Sequence, residues 1–121
     1  MILTINDKDY ELNFGLKFLK EISKDKTKTQ NGIDVRMGIE NAVTSLYTGD
    51  YIILPDLIKA STATLKEKPN AREIEEYLDE CENLEKLGDD FLNELLNQSA
   101  TKKKALPVYK ELENSMNPDK K

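Results

Sequence analysis

The chain has 121 residues with 23 acidic and 18 basic side chains, a formal charge of -5, one cysteine and no histidine; this size suits one domain with one ordinary core. The missing histidine excludes Ser-His and Cys-His nucleophile pairs and Cys/His zinc sites, so no catalytic residue, metal or cofactor is expected. No apolar run is long enough to cross a membrane, Met1–Tyr10 shows no secretory signal, and a single cysteine suits a reducing compartment.

Met1 to Phe14 predicts a β-hairpin. Ile2, Leu3, Thr4 and Ile5 favour strand, Asn6-Asp7-Lys8-Asp9 is turn-rich, and Tyr10, Leu12 and Phe14 alternate with polar residues. Two strands alone are marginal, so the hairpin must pack on helices. Gly15 breaks the strand, and Leu16, Phe18, Leu19 and Ile22 then recur at helical spacing. Ser23 to Gly32 is polar throughout and is read as an exposed loop.

A second helix is expected from Asp34 as N-cap, with Val35, Ile39, Ala42, Val43 and Leu46 as its apolar stripe. Thr48-Gly49-Asp50 should stop it and start a third, with Gly49 as C-terminal stop and Asp50 as N-cap. That third helix carries Ile52, Ile53, Leu54, Leu57, Ile58 and Ala60. It is apolar on nearly all sides and should be the most buried. Pro55 is tolerable there because it falls near the first turn.

Asn70-Ala71-Arg72-Glu73 has the form of a capping box. Beyond it, Ile74, Tyr77, Leu78 and Cys81 share a face, and Leu84, Leu87, Phe91, Leu92, Leu95 and Leu96 continue the pattern. One long helix and two helices broken near Glu82-Asn83 both fit; two are favoured, because Asn83 can cap and Gly88 weakens a continuous helix. After Ser99 one weak helical face remains, Ala105, Val108, Tyr109, Leu112 and Met116, between Pro107 and Pro118.

The fold class is therefore mainly α, about five helices with an N-terminal β-hairpin. Residues 1–98 form the helical domain and residues 99–121 a basic C-terminal tail. The expected core is Leu12, Phe14, Leu19, Ile22, Ile39, Val43, Leu46, Leu57, Ile58, Ile74, Leu78 and Phe91.

Charge is unevenly spread. Residues 1–66 are balanced, residues 67–96 hold eleven acids and three bases, and residues 97–121 hold three acids and six bases. The acidic stretch does not suit nucleic acid, which needs excess Lys and Arg. Small motifs add no chemistry. Cys81 shares an apolar face and is read as a buried structural cysteine. Asp7-Lys8-Asp9 lacks the remaining ligands of a calcium loop, Asp89-Asp90 point about 100° apart on a helix, and the glycines form no phosphate-binding pattern.

Several segments taken together resemble a known family. Ile5-Asn6-Asp7-Lys8-Asp9-Tyr10-Glu11-Leu12-Asn13-Phe14-Gly15-Leu16-Lys17-Phe18-Leu19 is similar to the N-terminal signature of the tail assembly chaperones of long-tailed phages or prophages of Gram-positive bacteria. Leu46-Tyr47-Thr48-Gly49-Asp50 resembles that family's Tyr-x-Gly-Asp junction. Lys68-Pro69 with Arg72-Glu73-Ile74-Glu75-Glu76-Tyr77-Leu78-Asp79 resembles its acidic fourth helix. The likeness covers roughly residues 1–96.

The resemblance implies a non-catalytic chaperone that binds the tape measure protein and keeps it soluble. It implies a longer, frameshifted form that recruits major tail protein, action in the host cytoplasm, and absence from the mature virion. It also suggests self-association, with no nucleic acid and no membrane as partner. Tyr51, Ile52, Ile53 and Leu54, which circle their helix, are the first candidate partner surface. Val108, Tyr109, Leu112 and Met116 are the second, read as a contact element; the alternative is that this segment docks on its own domain. Two further readings compete, a connector subunit of the virion and a small DNA-binding regulator. Against the latter, Tyr51 to Ala60 carries Lys59 as its one base and is too apolar for a recognition helix.

Overall fold

Local chemistry sets the first element as expected. The computed structural model describes residues 1–24 and 27–116. Strands β1 (Ile2–Ile5) and β2 (Lys8–Glu11) pair antiparallel, Leu3 opposite Tyr10. Asn6 and Asp7 turn the chain with φ of 54° and 62°, the left-handed pair that a two-residue hairpin turn requires. The hairpin buries Leu3, Ile5 and Tyr10, and Leu12 and Phe14 follow them inward. It is fastened to the body by Asn13 N–H donating to the Ser61 carbonyl at 2.8 Å.

Helix α1 (Leu16–Ile22) buries Phe18 and Ile22. Leu16, expected on the same stripe, is 77 % exposed. Two residues turn a helix by about 200°, so Leu16 and Phe18 cannot share a face. Leu19 is half-buried against the core.

The expected loop after Ser23 is in part a second hairpin. Strands β3 (Thr27–Gln30) and β4 (Ile33–Arg36) pair antiparallel across Asn31 and Gly32, with φ of 54° and 77°. Asp25 and Lys26 of that loop lie outside the described residues. Asp34 is therefore a strand residue and not an N-cap, and Val35 belongs to β4. Helix α2 (Gly38–Thr48) starts three residues later than expected, with Met37 and not Asp34 at its N-cap position. Gly38 is where α2 meets the end of α1: a Cβ there would lie 2.5 Å from the Ile22 carbonyl oxygen.

Gly49 ends α2 in the left-handed region, φ 78°, while Asp50 N–H donates to the Ser45 carbonyl at 2.8 Å; this bond closes a Schellman ending. Asp50 is not the next cap. Helix α3 (Ile53–Ser61) has Ile52 at that position, and the chain crosses Tyr51-Ile52 as a turn. Leu54, Leu57 and Ile58 have no exposed surface, and α3 packs against α1, α2 and α4, the central position expected.

Helix α4 (Ala71–Asp79) opens with a capping box: Glu73 N–H donates to Asn70 Oδ1 at 2.8 Å, and Asn70 N–H to Glu73 Oε1 at 3.0 Å. The chain then breaks. Helix α5 (Leu84–Asn97) has Asn83 as N-cap, its Oδ1 accepting from Lys86 N–H at 2.9 Å. Phe91 of α5 meets Phe14, and Phe14 meets Phe18, both edge-on, with centroids 6.0 and 5.0 Å apart.

Helix α6 (Lys102–Met116) begins five residues before Pro107, earlier than the proline suggested. Packing offsets that break. Ala105 and Thr101 are fully buried, and Thr101 Oγ1 donates to the Leu95 carbonyl at 2.7 Å. α6 lies on α2 and α5, and Thr101 and Ala105 join the core. Of the expected core, Leu19 and Leu78 are half-buried and the other residues are buried.

Candidate docking groove

The run Tyr51-Ile52-Ile53-Leu54, uniformly apolar in sequence, is divided by the turn that carries it. Ile52 is 84 % exposed and Leu54 0 %. Ile53 is half-buried against the core. Tyr51 lies between these extremes, its ring against α5 at Gly88, where a Cβ would come within 3.0 Å of Tyr51 Cε1. Gly88, read from sequence as a weak point in a helix, is thus the notch that seats an aromatic ring.

Tyr51, Ile52, Leu54 and Pro55 form one wall of a groove of about 380 Å³, and Leu78 and Leu84 line it from α4 and the start of α5. Leu54 supplies buried floor and Ile53 does not line the groove, so of the four sequence candidates Tyr51 and Ile52 offer accessible surface to it. Glu75 and Asp79 of α4 stand on the rim. They are four residues apart and share a helix face. Neither has an ion-pair partner among the described residues. The nearby cations Arg72 and Lys86 are engaged elsewhere, with Glu76 at 2.9 Å and Asp90 at 3.1 Å. Sequence reading placed Leu78 and Leu84 in the core stripe and gave Glu75 and Asp79 no role; the excess of acid over residues 67–96 was the available signal.

The second sequence candidate sits elsewhere. Val108, Tyr109 and Leu112 are half-buried on the core-facing side of α6. Tyr109 meets Tyr47 edge-on at 5.7 Å, Tyr47 OH donates to Glu113 at 3.4 Å, and a bond to Glu113 holds the Tyr109 hydroxyl above its ordinary pKa. This face packs toward α2 and α5. The Met116 side chain lies outside the described residues.

A second cleft, about 440 Å³, lies between the β1–β2 turn and α4, lined by Asp7, Glu73, Glu76, Tyr77, Glu80 and Cys81 among others. Cys81 is half-buried beyond the end of α4, not buried on a helix face. Burial raises the Tyr77 hydroxyl pKa, with Cys81 adding to the shift. Glu73 is held below the ordinary carboxylate value, first by the Asn70 backbone and then by Asn6, whose Nδ2 donates to it at 3.3 Å. Lys8 pairs with Glu67 beside this turn. Glu73 therefore ties the hairpin turn to α4, and Glu67 ties β2 to the segment before that helix. Among the described residues no group of three or more His, Cys, Asp or Glu side chains could hold a metal ion, and no helix is long and apolar enough to cross a membrane.

Fold and groove together define a small, mainly helical domain carrying an apolar groove with an acidic rim. Over residues 2–108 the chain matches the model of a family described as phage tail assembly chaperone protein, TAC, and it belongs to that family. The match runs beyond residue 96 and takes in the first half of α6. Searches of curated proteins and of solved structures found no match. Membership makes the chain a tail assembly chaperone, with phage tail proteins as its partners in general and the host cell during assembly as its place of action.

Proposed function

We propose that this chaperone binds an apolar helical stripe of the tape measure protein through the Tyr51–Ile52 groove and keeps that protein soluble until tail subunits assemble around it. The observation that carries the reading is Ile52, 84 % exposed at an apolar groove in a member of the tail chaperone family. A single exposed apolar side chain such as Leu16 is ordinary, but Ile52 is continuous with an apolar groove, and such a patch marks a binding surface that an amphipathic helix can cover. Many copies on one rod make weak contacts sufficient through multivalency, and the charge of -5 keeps a coated assembly dispersed.

The role needs no catalytic step. It extends to self-association along the rod, to recruitment of major tail protein by a longer frameshifted product, and to departure before the virion is complete. The contact is assigned to Tyr51 and Ile52 rather than to Val108, Tyr109 and Leu112, which already serve the packing of α6.

Co-expression with the tape measure protein tests the reading. The wild-type chain should hold that protein in the soluble fraction, and Ile52→Asp should return it to the pellet. An unchanged soluble fraction with Ile52→Asp would move the contact away from the groove. Mass spectrometry of purified particles should find no peptide of this chain; its presence there would favour a connector subunit.

A further inference from the structure

The acidic rim of the groove specifies its occupant more closely. This step rests on the proposed reading of the groove as a partner site and deepens it. Glu75 and Asp79 are a like-charge pair one turn apart on α4, which disfavours the helix that carries them. Asp79 also stands in the last turn, where the helix dipole disfavours an anion and no basic side chain is present. Neither carboxylate has an ion-pair partner among the described residues, and two of the three bases in residues 67–96 are already paired with other acids. Two electrostatic costs therefore meet at one edge of an apolar groove, with no ion pair among the described residues to relieve them.

We infer that the groove takes an amphipathic α-helix of a partner protein whose apolar stripe is flanked on one side by Lys or Arg. The apolar residues cover Ile52, Tyr51, Leu78 and Leu84, and the flanking cations lie against Glu75 and Asp79. At about 380 Å³ the groove is near the small end of pocket sizes, so it holds a few anchor side chains of a longer helix. The rim then selects among apolar helices, because an acidic flank would add a third and fourth like charge. The preference is salt-dependent, since the rim is exposed and screened.

Two synthetic amphipathic helices of about five turns, identical in their apolar stripe and flanked by Lys or by Glu, test this with the full-length chain. Fluorescence anisotropy should show the Lys-flanked peptide binding roughly tenfold tighter at about 50 mM salt, with the gap narrowing at about 500 mM. The double variant E75K/D79K should reverse the preference, and Ile52→Ser should weaken both peptides. Circular dichroism spectra matching the wild type establish that these surface variants fold. Equal affinity for both peptides, or a preference that survives E75K/D79K, overturns the inference. So does a self-associated species in light scattering that Ile52→Ser converts to monomer while neither peptide binds, because the occupant would then be a second copy of this chain. If the Lys-flanked peptide binds but the tape measure protein stays insoluble in co-expression, the groove chemistry stands and the tape measure reading fails. If E75K/D79K and Ile52→Ser both keep that protein soluble, the tape measure role stands but its contact lies outside the groove, and this assignment fails.

Discussion

Ile52 and Leu57 sit five residues apart in one apolar run, and the structure gives them opposite roles. Leu57 has no exposed surface and lies in α3, which packs on α1, α2 and α4. Leu57→Ala removes buried methyl groups and leaves a cavity, which costs about 2–5 kcal/mol. Ile52 is 84 % exposed. Fully burying an isoleucine contributes about 1.5–3 kcal/mol, so the buried remainder, roughly one-sixth, is worth about 0.3–0.5 kcal/mol. Ile52→Ala should therefore leave the urea midpoint almost unmoved. With an m-value of about 2 kcal/mol/M, the middle of the usual range, Leu57→Ala should lower that midpoint by about 1–2.5 M. Urea denaturation followed by circular dichroism at a common temperature measures both, and m must stay constant for the comparison to hold. Peptide binding should show the reverse order, Ile52→Ala weak and Leu57→Ala near wild type below its unfolding transition. An Ile52→Ala cost above about 1 kcal/mol, or a Leu57→Ala cost below about 0.5 kcal/mol, would refute the division of this run into surface and core.

Three other perturbations test the packing. Gly38→Ala places a Cβ 2.5 Å from the Ile22 carbonyl oxygen and 2.7 Å from Ser23 Cα; both are backbone atoms, so the junction must shift, at about 1–3 kcal/mol, and thermal melting unchanged from wild type would disprove the contact. Deleting residues 101–121 removes Thr101 and Ala105 from the core and Val108, Tyr109 and Leu112 from its edge; the midpoint should fall by about 10 °C, at a few degrees per kcal/mol, and an unchanged midpoint would show α6 to be peripheral. Glu21 accepts from Lys24 and Lys17 and is held down to about 2 from its ordinary 4.5. A depressed folded pKa contributes stability that is present above the ordinary value and lost as pH falls toward the folded one. Melting temperature should thus decline from about pH 4.5 to about pH 2, with a shallower decline in Glu21→Gln; identical slopes would remove Glu21 from the acid response.

Where local chemistry decides, sequence reading succeeded, because one or two residues settle the outcome. Asn6-Asp7 tolerate left-handed φ and turn the first hairpin. Gly49 ends α2, Asn70 and Glu73 cap α4 reciprocally, and Asn83 restarts the helix as α5. Asn31-Gly32 is the same kind of signal, but only Ile33–Arg36 alternates apolar and polar residues beside it, while Thr27–Gln30 carries no apolar residue to mark a partner strand. That hairpin takes up Asp34 and Val35, so α2 starts at Gly38 and not directly after Asp34.

The tertiary structure decided which apolar residues were spare. Periodicity names a stripe but not what covers it. Pro107 argued against a helix at Lys102, yet burial of Ala105 and Thr101 against α2 and α5 made one. Leu54 and Ile52 look alike in sequence; a turn at Tyr51-Ile52, where the Tyr51 ring lies against Gly88, sends one inward and leaves the other exposed. Glu75 and Asp79 read as ordinary helix-surface acids until α3 and α5 are placed beside α4. Each depends on partners distant in the chain. Composition and spacing therefore determined that the protein is a capped, mainly helical domain with an acidic segment, and the packing of α3, α4 and α5 determined where its groove lies.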